Sequence, residues 1–250
     1  MLDPANWITF WHPRLTKIVC VCNATKKALR DSGIPESKLA TVWEGPSLDT
    51  LQPLPRSTRS EFDVPADAFV VGLVANMRRV KGVDLLLRAA LRLADLPDIY
   101  WLLIGDVLDP QIESLAKDPR IANRIRLPGR RTNGGRYASL MDVYASPSRM
   151  EGMPMSIMEA MSLGACTVTT TVGGCTELVR HQLDGLTVPP NDPAALANAI
   201  RSLYCSPSSR RALIESARER AHSVFCVRAW AERLHSVYAD VAGNHAARAA

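Results

Sequence analysis

Residues 142–170, DVYASPSRMEGMPMSIMEAMSLGACTVTT, read as a strand, a loop, a helix and a second strand in direct succession. The apolar runs 142–146 and 166–171 are typical of buried strands, and the helical stretch 154–163 ends at Gly164. A strand, a helix and a strand in this order predict a β-α-β unit of a parallel sheet. The loop between them then lies at the carboxyl end of its strand, the edge at which open α/β sheets bind ligands.

The pattern continues on both sides of this segment. From residue 69 onward, short apolar strands without polar alternation are separated by helical stretches. Such a chain predicts the α/β class, with a parallel sheet covered by helices on both faces. Further strands are expected at 69–75, 99–105, 125–129 and 186–188, with helices at 83–94 and near 135–141 and three more helices between residues 193 and 243.

The beginning of the chain carries a separate pattern, in which strands 17–22 and 39–43 enclose a helix at 24–33. One β-α-β unit cannot bury both faces of its two parallel strands. We therefore expect this piece to be the end of a larger domain. The stretch 46–62, rich in Pro, Ser and Thr, is predicted to be a linker.

The composition excludes several function classes. With 47% hydrophobic and 22% charged residues, the 250-residue chain resembles an ordinary globular protein, and its apolar runs are too short for a transmembrane segment. The net charge of +5 favours anionic partners, but 6% aromatic residues offer no base-stacking platform, so no nucleic-acid partner is expected. Peripheral contact with the inner face of the membrane fits the charge better. No signal peptide is readable, and six cysteines without a CxxC pair suit a reducing compartment, so we expect a cytoplasmic location.

The start of the helix at 154–163 has no side-chain oxygen to cap its free N–H groups. Pro154 suits the first helical position, and Met153 before it is apolar. These N–H groups and the positive end of the helix dipole suit an anionic or hydroxyl-rich ligand. Glu151 and Glu159 flank the helix start, and carboxylates accept hydrogen bonds from sugar hydroxyls. The pair predicts a site for one elongated polar ligand; the alternative is a solvated Glu151 and a salt-bridged Glu159.

The stretch 147–179, with DGLTVPPNDPAALANAI at 184–200, resembles the donor-sugar half of retaining glycosyltransferases of the GT-B fold, family 4. The resemblance rests on a Glu-x7-Glu spacing, an EAM-x-x-G helix end, a Gly-Gly loop and a Val-Pro-Pro-x-Asp stretch. Weaker similarity extends through VANMRRVKGVDLLLRAA and KIVCVCNATKKALRDSGIPESKLATVWEG. It implies one Rossmann-like, doubly wound parallel sheet, the C-terminal half of a GT-B fold, with a short βαβ remnant of the N-terminal domain.

The resemblance further implies a nucleotide-diphosphosugar substrate, UDP- or GDP-linked, and no cofactor. Glu151 is then the catalytic-site carboxylate that holds hydroxyls of the donor sugar, and Glu159 holds the ribose. The residues whose backbone faces the sugar and the diphosphate are Gly152, Met153, Pro154, Met155 and Ser156. No Asp-x-Asp triplet occurs in the sequence. This agrees with a site that uses cations and helix dipoles, and no metal, to stabilise the leaving diphosphate.

Two cations of the family neutralise the diphosphate from an R-x-x-x-x-K-G type stretch. Lys81 fits the second of them, but Asn76 stands where the family often has its arginine. Arg78 or Arg79 is expected to substitute, Arg78 being preferred; the alternative is that all three are surface cations. Arg130 lies where members of the family contact the nucleobase, mostly through backbone groups. The alternative is that Arg130 is an ordinary loop arginine without a role in binding.

The resemblance divides the chain into four parts. These are an acceptor-side remnant (1–48), a linker (49–66), the nucleotide-sugar donor-binding domain (67–224) and a C-terminal crossing helix with a tail (225–250). The family's acceptor-side catalytic groups have no counterpart in this sequence. We also expect the apolar stripe of the last helix to be partly exposed. The stripe consists of Val227, Trp230, Leu234, Val237, Tyr238 and Val241.

Two functions are compatible with this sequence. The first is a retaining glycosyltransferase that transfers a hexose to a glycan or lipid acceptor. It would be incomplete without an acceptor domain, which a separate chain supplies if this chain is a subunit. The alternative is a non-catalytic nucleotide-sugar-binding module or an inactive truncated remnant. An epimerase or phosphorylase of the same architecture fits the Glu-x7-Glu loop less well.

Overall fold

The computed structural model describes residues 10, 12 and 14–249, with side chains up to residue 243. Residues 1–9, on which the expectation about a signal peptide rests, lie outside it. The strands are β1 Ile18–Cys20, β2 Leu39–Thr41, β3 Phe69–Val74, β4 Ile99–Ile104, β5 Ile125–Arg126, β6 Val143–Ser146, β7 Cys166–Thr170 and β8 Leu186–Val188. The α-helices are α1 Asn23–Asp31, α2 Val83–Arg92, α3 Pro110–Ala116, α4 Met155–Leu163, α5 Cys175–Leu178, α6 Pro193–Cys205, α7 Pro207–Val224 and α8 Val227–Ala249.

The main sheet has six strands in the order β5-β4-β3-β6-β7-β8, and every neighbouring pair is parallel. The strands are apolar and almost wholly buried, as parallel strands covered on both faces must be. From β3 the chain builds outward to β5, then returns to the other side of β3 at β6. The carboxyl ends of β3 and β6 therefore flank the topological switch point, where ligands bind in such sheets. The predicted α/β fold is confirmed.

Two elements differ from the sequence expectation. The helix expected near 135–141 is a 3-10 helix, Gly134–Leu140, which follows Asn133 in the left-handed conformation with a φ of 53°. Strand β5 has only two residues instead of the expected 125–129. Pro128 has no N–H group for a ladder hydrogen bond, and Gly129 has a φ of 74°, so the chain leaves the sheet there.

The N-terminal pattern forms the predicted β-α-β unit with its own two-stranded parallel sheet. Its small core consists of Cys20, Leu29, Ile34 and Leu39. Val19, which points to the other face of β1, is 42% exposed. Within the described residues no third strand pairs with β1 or β2, so both edges of this sheet are open.

One carboxylate fastens this unit to the rest of the molecule. Glu177 in α5 accepts hydrogen bonds from the backbone N–H groups of Asn23 and Ala24, at 2.9 and 3.0 Å. It also accepts one from Nε1 of Trp43 at 2.8 Å. A carboxylate at a helix N-terminus satisfies free N–H groups and interacts favourably with the helix dipole. Glu177 therefore caps α1, a helix more than 140 residues away in the sequence.

The stretch 49–66, expected to be a linker, packs against the domain instead. Residues 56–62 form a 3-10 helix, and Arg59 within it is 1% exposed. Its guanidinium donates hydrogen bonds to three backbone carbonyl groups and forms an ion pair with Asp142 at 2.9 Å. Burial lowers the pKa of Arg59, and the charge of Asp142 opposes that shift. This buried arginine, together with the buried side chains of Phe62 and Val64, docks a segment whose composition indicates a linker.

Three helices close the chain, as predicted. Asp192 caps α6 by accepting backbone N–H hydrogen bonds in its first turn. Between α7 and α8, the buried ring of Phe225 lies 5.7 Å from that of Trp43. No side chain from residue 227 to 243 is buried, and Tyr238 is 66% exposed. The expected exposure of the apolar stripe of α8 is confirmed.

Replacement of Arg59 tests the docking of this segment. Arg59→Ala leaves buried carbonyl groups without donors and weakens the pairing of Asp142, so we expect the free energy of unfolding to fall by about 3 kcal/mol. Arg56 contacts the same carboxylate from a side chain that is 62% exposed, and Arg56→Ala is expected to cost less than about 1 kcal/mol. Urea denaturation measures both. Equal losses for the two variants would contradict a docked segment.

Candidate functional site

Two loops meet at the switch point: the β3–α2 loop, residues 75–82, and the β6–α4 loop, residues 147–154. Lys81 in the first loop places its Nζ 2.7 Å from Oε1 of Glu151 in the second. Ser148 donates a hydrogen bond to the same carboxylate oxygen at 2.7 Å. The carboxylate of Glu151 is 10% exposed, and the ammonium side chain of Lys81 is 31% exposed. The structure thus brings together two residues that the sequence singled out separately.

An arginine holds the two loops in this position. Arg149 donates from its guanidinium to both carboxylate oxygens of Asp84, each at 2.7 Å, and to the carbonyl oxygen of Arg79. Its backbone N–H binds the carbonyl oxygen of Val80 at 2.8 Å. Burial alone raises the pKa of Asp84, but the hydrogen bonds and charge of Arg149 outweigh it and hold that pKa below its ordinary value. The sequence pattern did not indicate this pair, which lies 65 residues apart.

Three glycines allow backbone segments to approach at this edge. Gly82 has a φ of 68°, and a Cβ there would collide with the carbonyl oxygen of Pro147. Gly173 has a φ of 50°, and a Cβ there would collide with the carbonyl oxygen of Glu151. The next glycine, Gly174, donates its N–H to the carbonyl oxygen of Gly152 at 2.8 Å. The Gly173-Gly174 loop therefore packs directly on the backbone of the β6–α4 loop and is hydrogen-bonded to it.

Helix α4 begins with Met155, one residue later than expected. Pro154 is the N-cap residue, with φ −74° and ψ 105°, and not the first helical residue. No side chain of the described residues caps this helix, as predicted from the lack of a polar residue there. Met153 and Pro154 are buried, Ser156 is partly buried and Met155 is 51% exposed. The free N–H groups of the first turn and the positive end of the dipole remain available to a ligand.

Glu159 lies one turn further along α4, at a cavity of about 500 Å³. The lining residues of the cavity are Thr50, Leu51, Gln52, Asn133, Gly134, Gly135, Arg136 and Glu159. The carboxylate packs so closely on Gly135 that a Cβ at that position would collide with it. Burial raises the pKa of Glu159 above its ordinary value. In the described part of the chain this carboxylate has no salt bridge, which contradicts the alternative reading of a salt-bridged Glu159.

A buried tyrosine links two neighbouring strands at this edge of the sheet. Tyr144 in β6 is wholly buried, and its hydroxyl donates to the carbonyl oxygen of Val74 at 3.1 Å. Burial raises the pKa of this phenol above its ordinary value. The phenol therefore stays protonated at neutral pH and holds the end of β3 against β6.

The other predicted residues lie at the same edge of the sheet but make no side-chain contact with this group. Arg78 and Arg79 are exposed in the β3–α2 loop, and Asn76 before them is exposed as well. Arg130 is exposed and directly follows Gly129, whose carbonyl oxygen accepts from the N–H at the end of β4. Their roles in binding stay predictions.

No group of three His, Cys, Asp or Glu side chains among the described residues lies close enough to hold a metal ion. None of the helices in that part of the chain is long and apolar enough to cross a membrane.

Fold and geometry together define a class of protein: a parallel α/β domain in which Lys81, Glu151 and the start of α4 meet at the switch point of the sheet. Residues 68–206 match the family described as Glycosyl transferases group 1, which is more than half of the chain. The chain belongs to this family of glycosyltransferases. Its main sheet is the Rossmann-like half of a GT-B fold.

Individual relatives support the same assignment. D-inositol 3-phosphate glycosyltransferase 1 of Catenulispora acidiphila is 30% identical over 223 residues, which cover 82% of this chain and 52% of the relative. Sucrose-phosphate synthase from Thermosynechococcus elongatus has a TM-score of 0.79 and 26% identity, over 92% of this chain and 60% of that one. Anabaena Alr3699/HepE in complex with UDP has a TM-score of 0.81 and 23% identity, over 90% and 64% of the two chains. The chain spans about half the length of the curated relatives it matches.

The raised pKa of Glu159 makes a prediction about stability. The folded chain binds this proton more tightly than the unfolded chain, so the free energy of unfolding falls as the pH rises through the ordinary glutamate pKa and on to the raised one. At pH 7 the charge of Glu159 therefore destabilises the ligand-free fold. We expect Glu159→Gln to raise the melting temperature at pH 7. At pH 4.5, where the folded chain keeps Glu159 protonated, the variant is expected to melt at nearly the same temperature as the wild type. Glu215→Gln, on the exposed face of α7, is the control at both pH values.

The same variant is expected to bind nucleoside diphosphates more weakly, because a neutral amide accepts weaker hydrogen bonds than a carboxylate. An unchanged affinity for both UDP and GDP would remove Glu159 from the site. A melting temperature that falls at pH 7 would contradict the cost assigned to burying its charge.

Proposed function

We propose that this chain binds a nucleotide-diphosphosugar at the switch point and is the donor-binding part of a retaining glycosyltransferase. The reaction is transfer of a hexose from a UDP- or GDP-linked donor to a glycan or lipid acceptor. One observation carries the proposal: Lys81 contacts Glu151 at the uncapped start of α4. A cation, a helix start and a carboxylate meet there, which suits a ligand that joins a diphosphate to a sugar.

The diphosphate is the first part of the donor to be assigned. Its charge would lie between Nζ of Lys81 and the N–H groups of Met155 and Ser156. Ammonium groups and helix N-termini are both common phosphate-binding elements. In the ligand-free chain Lys81 is already paired with Glu151, so the diphosphate would share this ammonium with the carboxylate. Arg78, exposed and without a side-chain partner in the described residues, would supply further positive charge.

The donor sugar would lie on the other side of Glu151. Ser148 occupies only one carboxylate oxygen, Oε1, together with Lys81. The second oxygen is left to accept hydrogen bonds from sugar hydroxyls. Backbone from Gly152 to Pro154 forms the wall beside it. The carboxylate of Glu151, held in one orientation, would thus select the hexose by the positions of its hydroxyl groups.

The nucleoside would occupy the cavity beside Glu159. Its carboxylate has no protein partner in the described part of the chain, and the paired hydroxyls of a ribose would supply two donors. Arg130 would lie beyond the ribose, near the base, where backbone groups of its loop are also available. The Anabaena protein, whose fold this chain shares, was solved in complex with UDP, which supports a nucleotide as the ligand.

The chemical step follows from this placement. The bond between the anomeric carbon and the β-phosphate oxygen breaks, and a bond from that carbon to the acceptor oxygen forms on the same face of the sugar. The acceptor O–H bond breaks in the same step, and its proton passes to the departing phosphate oxygen. Negative charge develops on the leaving nucleoside diphosphate. Lys81 and the dipole of α4 are preorganised where that charge develops, which is the most effective electrostatic contribution to such a step.

The acceptor would bind a domain that this chain supplies only in part. The β1-α1-β2 unit has two open sheet edges, and α8 carries an apolar stripe with Val227 39% and Tyr238 66% exposed. Both features suit contact with further acceptor-side structure, either in a longer protein or in a separate chain. We place the protein in the cytoplasm at the inner face of the membrane, which its free thiols and basic charge support.

The alternative is a module that holds the nucleotide-sugar without transferring the hexose. Incubation of the chain with UDP- and GDP-hexoses, with and without lipid or glycan acceptors, separates the two. Appearance of nucleoside diphosphate that depends on an acceptor supports the transferase. Tight donor binding without turnover, in the presence of an added acceptor domain, would favour the module.

Loss of the ammonium at position 81 tests the diphosphate site. Lys81→Ala is expected to weaken UDP or GDP binding by about 1.5–3 kcal/mol, because a charged hydrogen bond to phosphate is lost, and to leave the affinity for the nucleoside unchanged. Lys117→Ala, an exposed lysine at the end of α3 on the opposite edge of the sheet, is the matched control. Calorimetry measures both ligands. Equal losses for nucleoside and nucleoside diphosphate would reject Lys81 as the phosphate ligand.

A further inference from the structure

The cavity beside Glu159 has a second charged side chain in its wall, Arg136. It follows Gly134 and Gly135 at the start of the 3-10 helix, and Gly135 packs directly on the carboxylate of Glu159. The motifs that carry the family resemblance do not include this arginine. It therefore requires its own explanation.

The guanidinium of Arg136 has no hydrogen bond or salt bridge within the described residues, and its Nε atom is buried without a partner. The other partly buried arginines of the domain are all paired. Arg59 and Arg124 donate to backbone carbonyl groups, and Arg149 donates to a carboxylate. A buried unpaired donor costs free energy, so such groups persist mainly where function needs them.

The position of Arg136 separates it from the phosphate end of the site. The cavity that it lines includes Glu159 and the segments 50–52 and 133–136, whereas Lys81 and Glu151 lie at the start of α4. The cation for the diphosphate is therefore already present elsewhere. Arg136 belongs to the nucleoside end, where a base presents carbonyl oxygens and ring nitrogens as acceptors.

We propose that Arg136 is a binding residue for the nucleobase of the donor, with its guanidinium donating to acceptor atoms on the edge of the base. The inference rests on the proposed function and deepens it. A guanidinium offers a planar fork of donors that matches such an edge, whereas a lysine offers a single point charge. Arg136 then contributes to the choice between uracil and guanine, which present different acceptors.

Binding measurements with three probes test this role. The affinities of UDP, GDP and inorganic pyrophosphate are measured for the wild-type chain, Arg136→Ala, Arg136→Lys and the control Arg211→Ala, an exposed arginine of α7. Arg136→Ala is expected to weaken the preferred nucleoside diphosphate about tenfold, and pyrophosphate not at all. Arg136→Lys is expected to keep the fold, lose most of that affinity and narrow the ratio between UDP and GDP. Arg211→Ala is expected to match the wild type.

Each other outcome has a definite meaning. Equal losses of UDP and pyrophosphate in both Arg136 variants would make this arginine a phosphate ligand and overturn the inference. Unchanged affinity in a folded variant would overturn it as well. If the wild-type chain binds neither UDP nor GDP, the proposed function fails together with the inference. If it binds one of them and depends on Lys81, failure at Arg136 leaves the proposed function intact.

Discussion

The contact between Lys81 and Glu151 is the interaction on which the site depends. It joins the loops that follow β3 and β6, the two strands between which the order of the sheet reverses. Arg149 and Asp84 hold the same two loops together from the side, and the close packing at Gly82 and Gly173 leaves little room for other arrangements. Charge is thus concentrated at the start of a helix that no side chain caps among the described residues. The proposed donor, with a diphosphate at its centre, would suit such an arrangement.

Local patterns in the sequence predicted most of the fold. Buried apolar runs of strand length, separated by amphipathic helices, specify a parallel sheet because each such strand needs cover on both faces. The same patterns do not predict structure that long-range contacts decide. Residues 56–62 have the composition of a linker, yet Arg59 donates to the carbonyl oxygen of Leu140, 81 residues away. The capping of α1 by Glu177 is a contact of the same kind, and composition and periodicity carry no information about such distant partners.

The candidate site was predictable in its residue types but not in its pairings. Glu151 lies before the start of α4 and Glu159 lies within the helix, as their spacing in the sequence predicts; their roles in binding stay predictions. The contact between Lys81 and Glu151 depends on the relative positions of two loops that lie 70 residues apart in the sequence, which local patterns do not specify. Arg136 follows two glycines, a pattern that indicates only a turn. That its guanidinium has no partner among the described residues and lines a cavity follows from the structure alone. Burial raises the pKa of Glu159, a consequence of its packing that the sequence pattern does not show.

A crystal structure of the chain with UDP or GDP tests the central claim most directly. The account predicts phosphate oxygens within hydrogen-bonding distance of Nζ of Lys81 and of a backbone N–H in the first turn of α4, with the ribose hydroxyls on Glu159. A nucleotide bound elsewhere on the domain, with the Lys81–Glu151 pair unchanged and the start of α4 facing only solvent, would contradict it.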